Sequence, residues 1–226
     1  MLEPAPFIRV RNLVVLGARG AGKTSLVTQY AQNAFCGNYV PSIEGTYEKI
    51  VEHEGHEYRF HILDTAGQDE WSYISTRYLM GIHAFVIVYS VDFEYSFQMA
   101  KIVRNMIIDQ TSMAFVRMVL VANKCDKVED RVITREQGER LAEEFECPYF
   151  ETSAKDRINI DEAFKEAVFY DMEEISKMYK ARRKERRARR RAERLAAEEA
   201  ERSMMESERK RTEKAKGRDS WWCTIM

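Results

Sequence analysis

The 226-residue chain has no apolar run long enough to cross a membrane, no cysteines spaced for redox chemistry or zinc, and no leader-like opening. Its longest apolar stretch, residues 84–89, is far below the roughly 18 residues that a span requires. The first ten residues, MLEPAPFIRV, contain no apolar h-region, so no secretory signal is expected. Cys36, Cys125, Cys147 and Cys223 form no C-x-x-C, which favours free thiols in a reducing cytosol over a disulfide framework. The histidines at 53, 56, 61 and 83 have no cysteine or carboxylate at metal-ligand spacing and are assigned structural roles.

Net charge is almost absent too, at -1, but only because opposite excesses cancel. Residues 1–179 carry 19 basic and 28 acidic side chains, whereas residues 180–218 carry 17 basic and 8 acidic. An acidic body is therefore joined to a basic tail, the pattern of tails that meet anionic surfaces. The tail accounts for the low mean hydropathy of -0.50, and with 45% hydrophobic residues the body can bury a real core. The length suits one globular domain with an appendage.

Residues 9–16 read as a strand, and the unbroken apolar run 13–16 suggests burial on both faces. A Gly-rich turn and a helix over about 22–32 follow. Residues 46–54 and 57–64 read as strands joined around Glu54-Gly55, and 83–91, 116–122 and 149–150 as further strands. Helical patterns cover 93–110, 134–145 and everything from about 160 onward, with Thr134 and Gln137 spaced for a capping box. Alternating strands and helices predict an α/β domain: a six-stranded, mostly parallel sheet with helices on both faces. Ligands of such sheets sit at the carboxyl ends of the strands, where the following motifs fall.

Residues 17–24, Gly-Ala-Arg-Gly-Ala-Gly-Lys-Thr, match the P-loop pattern G-x-x-x-x-G-K-[ST] between a strand and a helix. Glycines let backbone N–H groups wrap phosphates, the helix N-terminus adds its dipole, and Lys23 supplies a mobile point charge. Gly17, Arg19, Gly20, Ala21, Gly22, Lys23, Thr24 and Ser25 are accordingly assigned to a nucleoside triphosphate, with the Thr24 hydroxyl on Mg²⁺. Asp64, at the end of an apolar strand, is assigned to the same metal. Gly67 can bring its N–H to a γ-phosphate, and Gln68 is the candidate for orienting the attacking water.

Asn123-Lys124-Cys125-Asp126 follows another apolar run. A carboxylate at 126 can accept from the N1–H and 2-amino group of guanine, a donor pair that adenine lacks. Asn123 can bond the opposite edge and brace the P-loop, and the Lys124 stem can lie on the ring. In the stretch Glu151-Thr-Ser-Ala-Lys155, Ser153, Ala154 and Lys155 are assigned to the base, with the Ala154 N–H on its O6.

These five stretches resemble the G-motifs of the Ras superfamily of small GTPases, over about residues 12–169. The wording Asp-Glu-Trp-Ser-Tyr at 69–73 and an arginine at 19 resemble the Rheb-like members of the Ras branch. The resemblance implies a P-loop NTPase G domain that binds GTP and GDP with Mg²⁺, hydrolyses GTP and acts as a switch. It implies switch segments at 35–46 and 66–80, partnered by effectors, GTPase-activating proteins and exchange factors. Ser42 would reach Mg²⁺ and the γ-phosphate where the family usually has Thr, Phe35 would pack over guanine or else fill core, and Ile43 and Glu44 would face effectors. Most Ras relatives have Gly where Arg19 stands, so slow intrinsic hydrolysis is expected, with a GTP-holding scaffold of negligible turnover as the alternative. A constitutive P-loop ATPase is the rival that Asp126 argues against.

Residues 180–222 form a charged tail, without proline and rich in Arg, Glu, Ala and Lys, expected as an extended helix or a disordered arm. Residues 180–191 hold nine basic side chains against one Glu, each worth ~1 kcal/mol near an anionic leaflet. No base-reading module accompanies them, so no nucleic-acid partner is expected. The last four residues, Cys223-Thr-Ile-Met, fit C-a-a-X of the farnesyl-favouring class. One lipid chain anchors reversibly, so the basic tail with Trp221 and Trp222 is read as the second signal, on the cytoplasmic face of a membrane. The division expected is a G domain over 1–179, the tail over 180–222 and the lipidation motif at 223–226.

Overall fold

The computed structural model describes residues 8–37, 44–69, 79–111 and 116–188, with isolated positions at 191, 192, 194, 202, 204 and 205. Ser42, Ile43, most of the second switch, Trp221, Trp222 and Cys223 lie outside the described residues. The chain divides into two units, Met1–Ser176 and Lys177–Met226.

In the first unit the order is β1 (Arg9–Leu16), α1 (Lys23–Gln32), β2 (Gly45–His53), β3 (His56–Asp64), β4 (Ala84–Ser90), α2 (Glu94–Thr111), β5 (Met118–Asn123), α3 (Arg135–Phe145), β6 (Tyr149–Glu151) and α4 (Ile160–Phe169). The six strands lie in the order β2-β3-β1-β4-β5-β6. Only the β2–β3 pair is antiparallel. Its hairpin turns at Glu54 and Gly55, both at positive φ, as the sequence leads one to expect.

The apolar runs are continuous because each central strand feeds two cores. Leu13 and Val15 face one cluster while Val14 and Leu16 face the other, and β4 divides likewise into Val86 and Val88 against Phe85, Ile87 and Tyr89. α1 and α4 cover the first core with Leu26, Tyr30, Phe164 and Ala167; α2 and α3 cover the second with Met99, Val103, Ile107 and Leu141. Tyr30 and Phe164 stack at 4.1 Å between centroids, tying α1 to α4. At α3 the capping box is complete, since Thr134 accepts from the Gln137 N–H and Gln137 accepts from the Thr134 N–H.

Helix does not run unbroken from 160 onward. α4 stops at Phe169, and Tyr170 is extended. Its hydroxyl accepts from the Met118 N–H at 3.2 Å and its carbonyl accepts from Arg117, which holds it on the start of β5. The Asp171 carboxylate then accepts from the N–H groups of Glu173 and Glu174, capping a fresh helical start at 172. In the second unit, residues 177–188 are helical.

Candidate nucleotide-binding site

Parallel strands place the loops after β1, β3, β5 and β6 at one edge of the sheet. The loop after β1 is made of glycine where side chains have no room. A Cβ at Gly17 would lie 2.0 Å from the Val88 carbonyl oxygen, and one at Gly22 would lie 2.3 Å from Asn123 Nδ2. Gly22 is also the N-cap of α1, at φ +88, and no side chain caps the first turn. The N-terminal N–H groups of α1 therefore face the loop, as an anion site needs. Lys23 is docked here rather than mobile: its Nζ donates to the carbonyls of Gly17 at 3.0 Å and Ala18 at 3.1 Å. Burial lowers its pKa to about 8, with Asp64 opposing and Arg19 reinforcing the fall.

Next to the lysine, the Thr24 hydroxyl donates to Asp64 Oδ2 at 2.5 Å. The other carboxyl oxygen, Asp64 Oδ1, is buried and without a partner. Burial raises the Asp64 pKa, with the Thr24 bond and the Lys23 charge opposing. A hydroxyl beside an orphaned carboxylate oxygen fits Mg²⁺, which takes one or two protein oxygens and completes its shell with water and phosphate. Among the described residues no group of three or more His, Cys, Asp or Glu is placed to hold a metal alone.

The loop after β3 is fastened to the P-loop. The Thr65 hydroxyl donates to the Val15 carbonyl at 2.8 Å, and the Gln68 N–H donates to the Gly17 carbonyl at 3.0 Å. The Gln68 side chain is buried, its Nε2 donating to the Ala66 carbonyl at 2.8 Å. Between them a Cβ on Gly67 would meet Arg19 Cγ at 2.3 Å and Arg19 Cα at 2.5 Å. The stem of Arg19 therefore lies directly on the Gly67 backbone.

On the base side, Asn123 Nδ2 donates to the Ala21 carbonyl at 3.1 Å, and Asn123 Oδ1 accepts from the Thr152 hydroxyl at 3.3 Å. One amide thus links the loops after β1, β5 and β6. Half-buried Asp126 accepts from the Ser153 hydroxyl at 2.6 Å, and the same hydroxyl accepts from the Asp156 N–H. Ala154 is buried and Lys155 exposed. Phe35 is 44% exposed, so core packing is not its role. Glu44 immediately precedes β2.

Sequence reasoning missed two supports. Asp92, two residues beyond β4, sits 3.5 Å from the Lys124 Nζ and 2.7 Å from the Lys127 Nζ, and the Ser90 hydroxyl also bonds it. Burial alone would raise its pKa, but the bonds from Lys127 and Ser90 and the charge of Lys124 hold it at about 2. Its signal was a carboxylate just past a buried strand, the same feature that marks Asp64. Arg131 forks onto Glu151 at 2.7 and 3.2 Å, bracing the start of the last loop.

A strand-to-helix glycine loop with a docked lysine, beside an orphaned carboxylate, defines a P-loop nucleotide-binding domain. The Ras family model matches residues 12–173, and the chain belongs to that family. It is 43% identical over 157 residues to the GTP-binding protein rhb1 of Schizosaccharomyces pombe, covering 70% of this chain and 85% of that protein. It is 40% identical over 156 residues to a GTP-binding Rheb homolog of Dictyostelium discoideum, covering 69% and 84%. Mouse GTP-binding protein Rheb is 35% identical over 163 residues, covering 72% and 89%. The chain is thus a Rheb-like small GTPase, a GTP-binding switch, and Ras-family GTPases are GTP hydrolases.

Proposed function

We propose that this protein is a slow GTP hydrolase that switches between GTP and GDP states while lipid-anchored to the cytoplasmic face of a membrane. The contact of the Arg19 stem with the Gly67 backbone carries the kinetic part of the reading. Gln68 follows directly, its side chain turned onto the Ala66 carbonyl and its N–H onto the P-loop. To orient water, Gln68 must leave these bonds in the space that Arg19 crowds. The same bulk hinders an arginine finger supplied in trans.

The remaining roles follow from the chemistry of each side chain. Lys23 neutralises phosphate charge, and its docked ammonium exchanges two carbonyls for phosphoryl oxygens. Thr24, Asp64 and Ser42 would hold Mg²⁺, and the buried, unpartnered Asp64 Oδ1 supports this for Asp64. That ion would supply the positive charge that offsets the charge of the phosphates. Asp126 selects guanine, Asn123 and Ala154 read its other edge, Phe35 and the stems of Lys124 and Lys155 cover its faces, and Ser153 aims Asp126. The switches would order around the γ-phosphate, presenting Ile43 and Glu44 to effectors. Prenylation at Cys223 and the basic tail supply the two signals that stable anchoring requires.

Single-turnover hydrolysis of wild type against Arg19→Gly tests the reading. The variant should turn over at least about fivefold faster, roughly 1 kcal/mol of barrier. An equal or slower rate would retire the slow-switch account.

A further inference from the structure

At the amino ends of the strands, opposite the nucleotide loops, Arg11, Tyr58, His83, Arg117, Val168 and Phe169 line a cavity of about 470 Å³. That volume lies within the ~300–1,000 Å³ of small-ligand sites. Guanidinium groups in and beside it are spread on aromatic faces: lining Arg11 stands 5.3 Å and neighbouring Arg9 5.7 Å from the Tyr58 ring centre, and lining Arg117 5.2 Å from that of Tyr170. Arg9 also donates to the Tyr58 hydroxyl at 3.1 Å. Such stacking holds the stems while leaving N–H edges for an incoming anion.

Among the described residues no carboxylate forms an ion pair with Arg9, Arg11 or Arg117, in a body where acidic side chains outnumber basic ones. Elsewhere in that body Lys49, Lys127, Arg131 and Arg157 each hold a carboxylate. His83 adds a donor. Its Nδ1 accepts from the Asn12 N–H at 3.0 Å, so the ring proton of neutral His83 sits on Nε2. Burial and then the Arg11 charge lower the His83 pKa, with the bond from Asn12 opposing.

We infer that this cavity is a second anion site, which binds a phosphomonoester between Arg11 and Arg117 with the aromatic rings as walls. Forked guanidinium groups match the geometry of a phosphate dianion. The phosphate is carried by a lipid headgroup or by a soluble metabolite. The experiment uses the full chain loaded with GDP and Mg²⁺, so that the P-loop is already filled. Soluble inositol trisphosphate is titrated by calorimetry, and vesicles doped with phosphatidylinositol bisphosphate are tested by sedimentation.

Saturable binding is expected, weakened at least about tenfold by Arg11→Gln or Arg117→Gln, as loss of a charged hydrogen bond requires. It should persist when the nine basic residues of 180–191 are replaced by Gln. Binding of the soluble probe without binding to vesicles assigns a metabolite, and binding to vesicles, with or without binding of the free headgroup, assigns a lipid. The NMR titration of His83 in the wild type serves as a check independent of any variant: bound phosphate should raise its pKa. No saturable binding to either probe, binding lost only with the tail charges, or an unmoved His83 would overturn the inference.

Discussion

At Lys23 two demands meet. The ammonium must be charged to hold phosphate, yet burial lowers its pKa from 10.5 to about 8. Between those pH values the unfolded chain binds the proton that the folded chain has released, so stability contributed by this group rises with pH. Nucleotide-free wild type should therefore gain stability relative to Lys23→Met as pH rises from about 8 toward 10.5, followed by denaturant titration. Parallel curves would mean that the lysine is hydrated rather than docked. Asp126 is the other side chain on which the proposed reading turns. Asp126→Asn replaces an acceptor with a group that also donates, and fluorescent GDP should bind at least about 100-fold more weakly. Ser153→Ala removes the hydroxyl that aims Oδ1 and should cost about tenfold.

Among the elements, α3 depends on a missing side chain. A Cβ on Gly138 would lie 2.4 Å from the hydroxyls of both Tyr89 and Tyr149. Those hydroxyls meet at 3.2 Å, and Tyr149 donates to Glu151, so Gly138→Ala should push α3 from β6 and loosen the loop that carries Ala154. A loss of about 1–3 kcal/mol in denaturant stability is expected, with weaker GDP binding; unchanged stability would show that the helix shifts freely. Nothing nearby in sequence marks this glycine, because the two tyrosines lie 49 and 11 residues away. Local patterns were far more legible. The apolar runs of β1, β4 and β5 announced two-sided burial, the P-loop stood out by its spacing and Asp64 by its place at the end of an apolar strand, and Thr134 with Gln137 announced a helix start. The break after α4 was hidden, since the bonds that hold Tyr170 come from Met118 and Arg117, 52 and 53 residues away in the chain. Asp92 and the docking of Lys23 were hidden for the same reason: each depends on atoms that only the fold brings close.

For the whole molecule, the separation of charge into an acidic body and a basic tail is the property that composition alone concealed. No helix among the described residues is long and apolar enough to cross a membrane, and the proposed attachment is by lipid and charge together. The prenylated chain should partition onto anionic vesicles and be released as salt rises, while Cys223→Ser should fail to bind stably; salt-independent attachment would assign the tail another partner. Guanine recognition is the claim on which the switch depends, and competition between GTP and ATP for the nucleotide-free chain measures it. GTP should bind at least about a thousandfold more tightly, because Asp126 leaves adenine without matching donors. Comparable affinities, or a preference for ATP, would contradict the account.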